Sequence, residues 1–235
     1  MTVEAVIWHD LECGAYTADL PVWHELAQDV QGPVLDVGAG TGRVALALAR
    51  EGRPVIALER DASLVGELRR RAHGLPVEVI EADACDFGLP APVELAIVPM
   101  QTVHLLDDRA AFLRCARRAL APGAVLAVAL LGEGIEPFEL ELDPDAVELD
   151  GVRYESAPTA LRRDGGCVVI ERRRSRIAVT GGSRTRQDVV HLQDLDAATL
   201  ADEAAQHGLL ALGVRRVAPT LEHAGSEIVS LGVPR

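Results

Sequence analysis

The 235-residue chain contains no lysine and no asparagine. Without lysine it has neither the ammonium of a phosphate-binding P-loop nor an ε-amine for a Schiff base, which excludes P-loop kinases and lysine-dependent carbonyl enzymes. Positive charge is also in deficit: 23 basic against 36 acidic residues give a net charge of −13 and a pI near 4.9. Such a field repels phosphate backbones and argues against a nucleic-acid partner. The densest basic stretch, Glu171-Arg-Arg-Arg-Ser-Arg176, reads as a strand with a solvated or ion-paired face. Only four cysteines occur, at 13, 85, 115 and 167, without metal or redox spacing. Reduced thiols and no metal site are expected, in a cytoplasmic setting. No apolar run is long enough to span a bilayer and no basic-plus-apolar leader is seen, so no membrane partner is expected. The length suits one sizeable core with an elaboration.

The most informative segment present is Val34-Leu-Asp-Val-Gly-Ala-Gly-Thr-Gly-Arg43. Val34, Leu35 and Val37 make a buried strand; Gly38, Gly40 and Gly42 let the backbone turn sharply and approach a ligand; helical periodicity follows from Thr41 to Arg50. Asp36 discriminates among ligands. A carboxylate two residues before the first glycine repels a pyrophosphate but attracts positive charge, and Gly-x-Gly-x-Gly departs from the dinucleotide Gly-x-Gly-x-x-Gly. A second apolar run, 54–59, ends on Glu59, which stands 19 residues beyond Gly40. A ribose hydroxyl pair is held from a strand tip at about that distance. Strands are further expected at 77–83, 93–100 and 124–131, the last after the helix stop Leu120-Ala-Pro-Gly123.

These residues resemble the class I S-adenosylmethionine-dependent methyltransferases, over roughly residues 34 to 131. The resemblance implies an α/β fold, a Rossmann-like seven-stranded class I sheet with an antiparallel β insertion. Carried over to this sequence, Asp36, Gly38, Gly40 and Gly42 meet the methionine part of the cofactor. Glu59 takes the ribose hydroxyls, with Arg60 beside it; Asp83 and Ala84, in Asp83-Ala-Cys-Asp-Phe87, border the adenine; the backbone at Met100 and Gln101 lines the cofactor. S-adenosylmethionine carries a sulfonium and an ammonium and no phosphate, which suits acidic strand ends. The absence of asparagine removes the Asn-Pro-Pro-Tyr type of active site found in some nucleic-acid amino-methyltransferases.

Residues 1–33 are expected as an N-terminal helical cap, 34–131 as the cofactor core, 132–192 as an antiparallel β insertion covering the substrate, and 193–235 as the completion of the core sheet by a hairpin. Asp150-Gly151, Asp164-Gly-Gly166 and Gly181-Gly182 are turn signals between strand-like pieces at 152–155, 167–179 and 186–192. An insertion at this place resembles that of glycine and amino-sugar N-methyltransferases. The expected activity is methyl transfer to a nitrogen or oxygen of a small molecule, with a homodimer left open. A non-catalytic cofactor-binding protein and a nicotinamide-dependent oxidoreductase are the rival readings. Two residues are candidates for catalysis. His104, after the fourth strand, is either a proton acceptor or a packed core histidine. Tyr16 is a candidate for orienting acceptor or cofactor, Trp23 is either core or lid, and Cys85 is expected to be a buried, unreactive thiol.

Overall fold

The structure is a computed structural model and describes residues 3–132, 136–139, 143–220 and 225–235. The chain begins with α1 (Val3–His9), a π-helical turn over Asp10–Gly14 and α2 (Leu20–Gln28). An alternating series follows: β1 (Val34–Val37), α3 (Arg43–Arg50), β2 (Val55–Glu59), α4 (Ala62–Arg71), β3 (Val77–Glu81), β4 (Val93–Val98), a 3-10 turn over Thr102–Leu105, α5 (Arg109–Ala119) and β5 (Leu120–Leu131). Five strands come next: β6 (Phe138–Glu139), β7 (Asp145–Leu149), β8 (Val152–Asp164), β9 (Cys167–Ala178) and β10 (Ser183–Gln193). Then α6 (Ala197–Ala205), β11 (Leu210–Val217) and β12 (Ser226–Gly232) close the chain. Aspartates start three of the helices: Asp61, Asp108 and Asp196 accept hydrogen bonds from first-turn amides of α4, α5 and α6.

The elements form two compact units, residues 16–133 with 195–235, and residues 2–15 with 134–194. The first unit holds a seven-stranded sheet in the order β3-β2-β1-β4-β5-β12-β11. Its first five strands are parallel; β12 pairs antiparallel with β5 and β11 pairs antiparallel with β12, so β12 alone runs against the other six. This is the expected α/β sheet of class I methyltransferase type, with the β insertion between β5 and α6. Alternation along β1 divides the core. Leu35 and Val37 join the cluster with Phe112, Leu113 and Leu200 of α5 and α6, whereas Val34 joins Trp23, Leu46 and Leu48 of α2 and α3. Asp36 therefore shares the face of Val34, between its register partners Ala57 of β2 and Ile97 of β4. Trp23 is fully buried and belongs to the core.

The second unit is an antiparallel sheet, β10-β9-β8-β6, with β7 also pairing β8. Asp150 and Gly151 both adopt left-handed φ, 51° and 73°, as a two-residue hairpin between β7 and β8 requires. Trp8 of α1 packs edge-on against Tyr154 at 5.4 Å. Arg174 makes a two-pronged pair with Glu12 at 2.6 and 2.7 Å and a bond to Asp188 at 2.7 Å, so the arginine stretch carries paired side chains. The first strand expected here, 152–155, runs on to Asp164. Pro158 is accommodated by a register shift between Pro158 and Ala160, which is how a strand carries a residue without an N–H. The N-terminal residues also divide differently from the single cap expected over 1–33: residues 2–15 group with the β unit and 16–33 with the Rossmann-like unit. Of the expected insertion over 132–192, residues 133–135 and 140–142 lie outside the described residues.

Candidate active site

Strand order reverses between β1 and β4, and in open α/β sheets the crevice beyond the strand ends at such a point receives the ligand. The chain leaving β1 is pinned over β2, because the amides of Gly38 and Ala39 both donate to the carbonyl of Leu58, at 2.8 and 3.0 Å. Gly38 has φ 73°, and a Cβ placed there would lie 2.4 Å from Cγ2 of Thr102. The glycine is thus required both by its left-handed backbone and by the close approach of the turn that follows β4. Gly40 and Gly42 are left-handed too, and Gly42 caps α3.

Asp36 is 1% exposed, and neither of its oxygens has a hydrogen-bond partner of good geometry among the described residues. Burial pushes its carboxyl up to about 7; Arg43 and the amide of Ala45 pull the other way, while Glu59 and Asp19 reinforce burial. A buried carboxylate left without partners is costly, so this position is complete only when something supplies positive charge or donors.

Glu59, at the tip of β2, is buried and fastens the loop. Its Oε2 accepts the Gly40 amide at 2.9 Å, and its Oε1 accepts the amides of Arg60 and Asp61 at 2.8 and 2.9 Å. Three accepted bonds leave room at a carboxylate with about four lone-pair sites. Asp83 stands two residues past the end of β3, half exposed, in a tight turn where its Oδ1 accepts the Cys85 amide at 2.7 Å. Arg60 reaches to 3.8 Å from its Oδ2 across the surface. Ala84 and Phe87 are buried in the core beneath this turn. Burial raises the Cys85 thiol above its ordinary value, followed by the charges of Asp83 and Asp108, so it is a poor thiolate.

After β4, Met100 holds φ 54°, a left-handed backbone that a side chain rarely adopts. Such strain costs on the order of 1–3 kcal/mol and gathers at ligand sites. Gln101 then begins the 3-10 turn containing Thr102 and His104. His104, the candidate proton acceptor, lies within this turn. It is 2% exposed, and its Nε2 accepts the amide of Leu131 at 2.9 Å, tying the turn to the end of β5. In the structure the lone pair of this nitrogen is occupied by the amide, the arrangement of a packed histidine.

Sequence reasoning missed Arg43 and Asp19. Arg43, the first residue of α3, grips Asp19 through two bonds of 2.6 and 2.8 Å, donates to the Tyr16 carbonyl at 2.8 Å, and lies 5.1 Å over the Tyr16 ring. Asp19 is 1% exposed and also accepts the Trp23 indole N–H at 2.8 Å. Tyr16 is buried; burial raises its phenol, with Asp19 adding to the rise and Ser226 and Arg43 opposing it. It therefore keeps its proton at neutral pH.

Residues 34–123 match the family model described as a methyltransferase domain. Among curated relatives, the rRNA adenine N-6-methyltransferase of Corynebacterium diphtheriae is 33% identical over 67 residues, 28% of this chain and 26% of that protein. The malonyl-[acyl-carrier protein] O-methyltransferase of Xylella fastidiosa is 28% identical over 140 residues, 58% of this chain and 46% of that protein. The chain thus spans less than half the length of either. Among solved structures, Streptomyces venezuelae DesVI superposes with a TM-score of 0.75 at 19% identity, covering 100% of both chains. The sugar N-methyltransferase KedS8 from Streptoalloteichus superposes with a TM-score of 0.73 at 20% identity, covering 100% of this chain and 93% of that one. Residues 34–123 thus carry a methyltransferase domain, and the chain shares the fold of these solved structures.

Proposed function

We propose that this chain binds S-adenosylmethionine across the ends of β1 to β4 and transfers its methyl group to a nitrogen or oxygen of a small molecule. The observation that carries the reading is Asp36, a buried carboxylate whose two oxygens have no hydrogen-bond partner of good geometry among the described residues, beside a glycine loop into which a Cβ does not fit. The ammonium of the cofactor satisfies that need, and a charge-assisted hydrogen bond of this kind is worth about 1.5–3 kcal/mol. A dinucleotide would instead bring a pyrophosphate toward Asp36, Glu59 and Asp19.

In this reading the methionine part lies against Asp36, Gly38, Gly40 and Gly42. Glu59 has lone-pair capacity for the ribose hydroxyls, with Arg60 beside it. Asp83 and Ala84 border the adenine, and the backbone of Met100, strained, and of Gln101 lines the cofactor. When bound, S-adenosylmethionine supplies an electrophilic methyl carbon with a neutral thioether as leaving group. The work left to the protein is to align the acceptor and keep water out. An amine that arrives unprotonated needs no base, in keeping with the committed Nε2 of His104. Tyr16, protonated, is suited to donate a hydrogen bond rather than to abstract a proton. A nitrogen acceptor on a small molecule is favoured by the likeness to KedS8, a sugar N-methyltransferase. Methyl-labelled cofactor incubated with a cell extract, fractionated into small molecules, RNA and protein, tests the reading. Label in the small-molecule fraction is expected; label confined to RNA or protein would overturn the substrate class.

A further inference from the structure

Arg43 acts on two buried carboxylates, Asp19 by direct contact and Asp36 through its charge. It grips Asp19 directly, at 2.6 and 2.8 Å, and makes no hydrogen bond to Asp36, whose oxygens have no hydrogen-bond partner of good geometry among the described residues. Both aspartates are 1% exposed, and the Arg43 side chain is 9% exposed, so water screens little of what passes between them. We propose that Asp19 and Asp36 divide the charge of Arg43, and that Arg43 is the positioning residue that sets the pH range over which the site accepts the cofactor's ammonium. The inference rests on the reading of this site as an S-adenosylmethionine site.

The charged groups acting on Asp36 are Arg43 from α3, Glu59 from β2 and Asp19 just before α2, with the Ala45 amide added from the first turn of α3. Two carboxylates, Asp19 and Asp36, thus share one guanidinium, while Glu59 adds repulsion at Asp36. Arg43 cannot neutralise Asp36 fully while it is committed to Asp19, and the burial of Asp36 leaves it protonated at mildly acidic pH. An incoming ammonium must then displace that proton, from the carboxyl oxygen to solvent. Below the midpoint, affinity falls about tenfold per pH unit, because each unit lowers the ionised fraction tenfold.

The two neighbours give opposite signs. Removing the charge of Asp19 frees Arg43 for Asp36 and takes away a repelling carboxylate, so Asp36 ionises more easily. Removing the charge of Arg43 makes it harder. Titration of the full chain with S-adenosylmethionine and S-adenosylhomocysteine, from pH 5.5 to 8.5 (about three units), reads this out. Relative to the native midpoint, Arg43→Gln is expected to move it up, and Asp19→Asn to move it down, each by roughly one unit, the size of effect a neighbouring charge exerts. Arg43→Lys keeps the charge and should stay near the native value. Equal weakening at every pH, or shifts of the same sign in the glutamine and asparagine variants, would mean a merely structural role and would overturn the inference.

Calorimetry of the native chain in buffers of different ionisation heat keeps the inference testable if variants fail to fold. Release of close to one proton per ligand near pH 6 (about one unit below the midpoint), vanishing by about pH 8, supports it; pH-independent release overturns it. Binding without these signatures sinks the inference alone. No binding of either ligand at any pH sinks the functional reading and the inference with it.

Discussion

His104 and Leu131 are joined by a hydrogen bond of 2.9 Å in which the imidazole Nε2 is the acceptor. The bond spans 27 residues of sequence and holds the turn after β4 against the end of β5. His104→Ala is expected to lose about 1–3 kcal/mol of stability by leaving a backbone amide without its acceptor. Turnover at a temperature where the variant is folded should fall less than about threefold, since no proton transfer is assigned to the ring. Urea unfolding and steady-state rates on the same preparation check both halves. A loss of 10²-fold or more in turnover, on the scale of a missing general base, with stability intact, would return His104 to the role of base.

Asp36 makes the free protein less stable as the pH rises. Its carboxyl keeps its proton up to about 7 when folded, against an ordinary value of 3.8. Between those values the folded chain binds the extra proton, so this contribution is fully present at the acid end of the window and is lost as pH rises through about 7. Asp36→Asn removes the titration. The variant is expected to gain in Tm over the native chain at about pH 8 and to gain much less near pH 5, while losing cofactor affinity at both. Equal differences at the two pH values, measured by thermal unfolding without ligand, would contradict the assignment.

Glu12 acts with the opposite sign in the β unit. Burial pushes its carboxyl up, but the hydrogen bond from Arg174, the charges of Arg172 and Arg174, and the Ser156 hydroxyl together hold it below the usual value of 4.5. Its contribution is therefore present above that value and lost as pH falls below it. Glu12→Gln should cost on the order of 2–3 kcal/mol, a buried-pair figure reduced because Asp188 still meets Arg174. Faster amide exchange along β8 and β9, with cofactor affinity unchanged within about twofold, is the expected result. A tenfold loss of cofactor affinity would show that Glu12 serves the cofactor site as well.

The glycine turn after β1 is legible because its signals are local: a short apolar strand and three left-handed glycines fall within nine residues. Hairpins announced by Asp150-Gly151 and Gly181-Gly182 were legible for the same reason. What escaped depends on distant partners. The length of β8 was hidden by Pro158, whose effect is absorbed by a bulge that only the pairing with β9 reveals. Arg43 left one faint trace, since a cation in the first turn of a helix opposes the helix dipole and asks for a counter-charge. That counter-charge, Asp19, lies 24 residues earlier, and nothing between them in the sequence points to it. The spacing of Glu59 from Gly40 points to a ribose ligand, while its three backbone bonds, which shape the loop, follow only from the fold.

The central claim, that Asp36 and its loop form a site for a cationic nucleoside cofactor, is tested most directly by titration calorimetry of the native chain and Asp36→Ala with S-adenosylhomocysteine, with NAD as the control ligand. The account predicts saturable binding of S-adenosylhomocysteine to the native chain, no binding of NAD, and a weakening of roughly tenfold to hundredfold in a folded Asp36→Ala variant. An unchanged dissociation constant in that variant, or binding of NAD in place of S-adenosylhomocysteine, would contradict it.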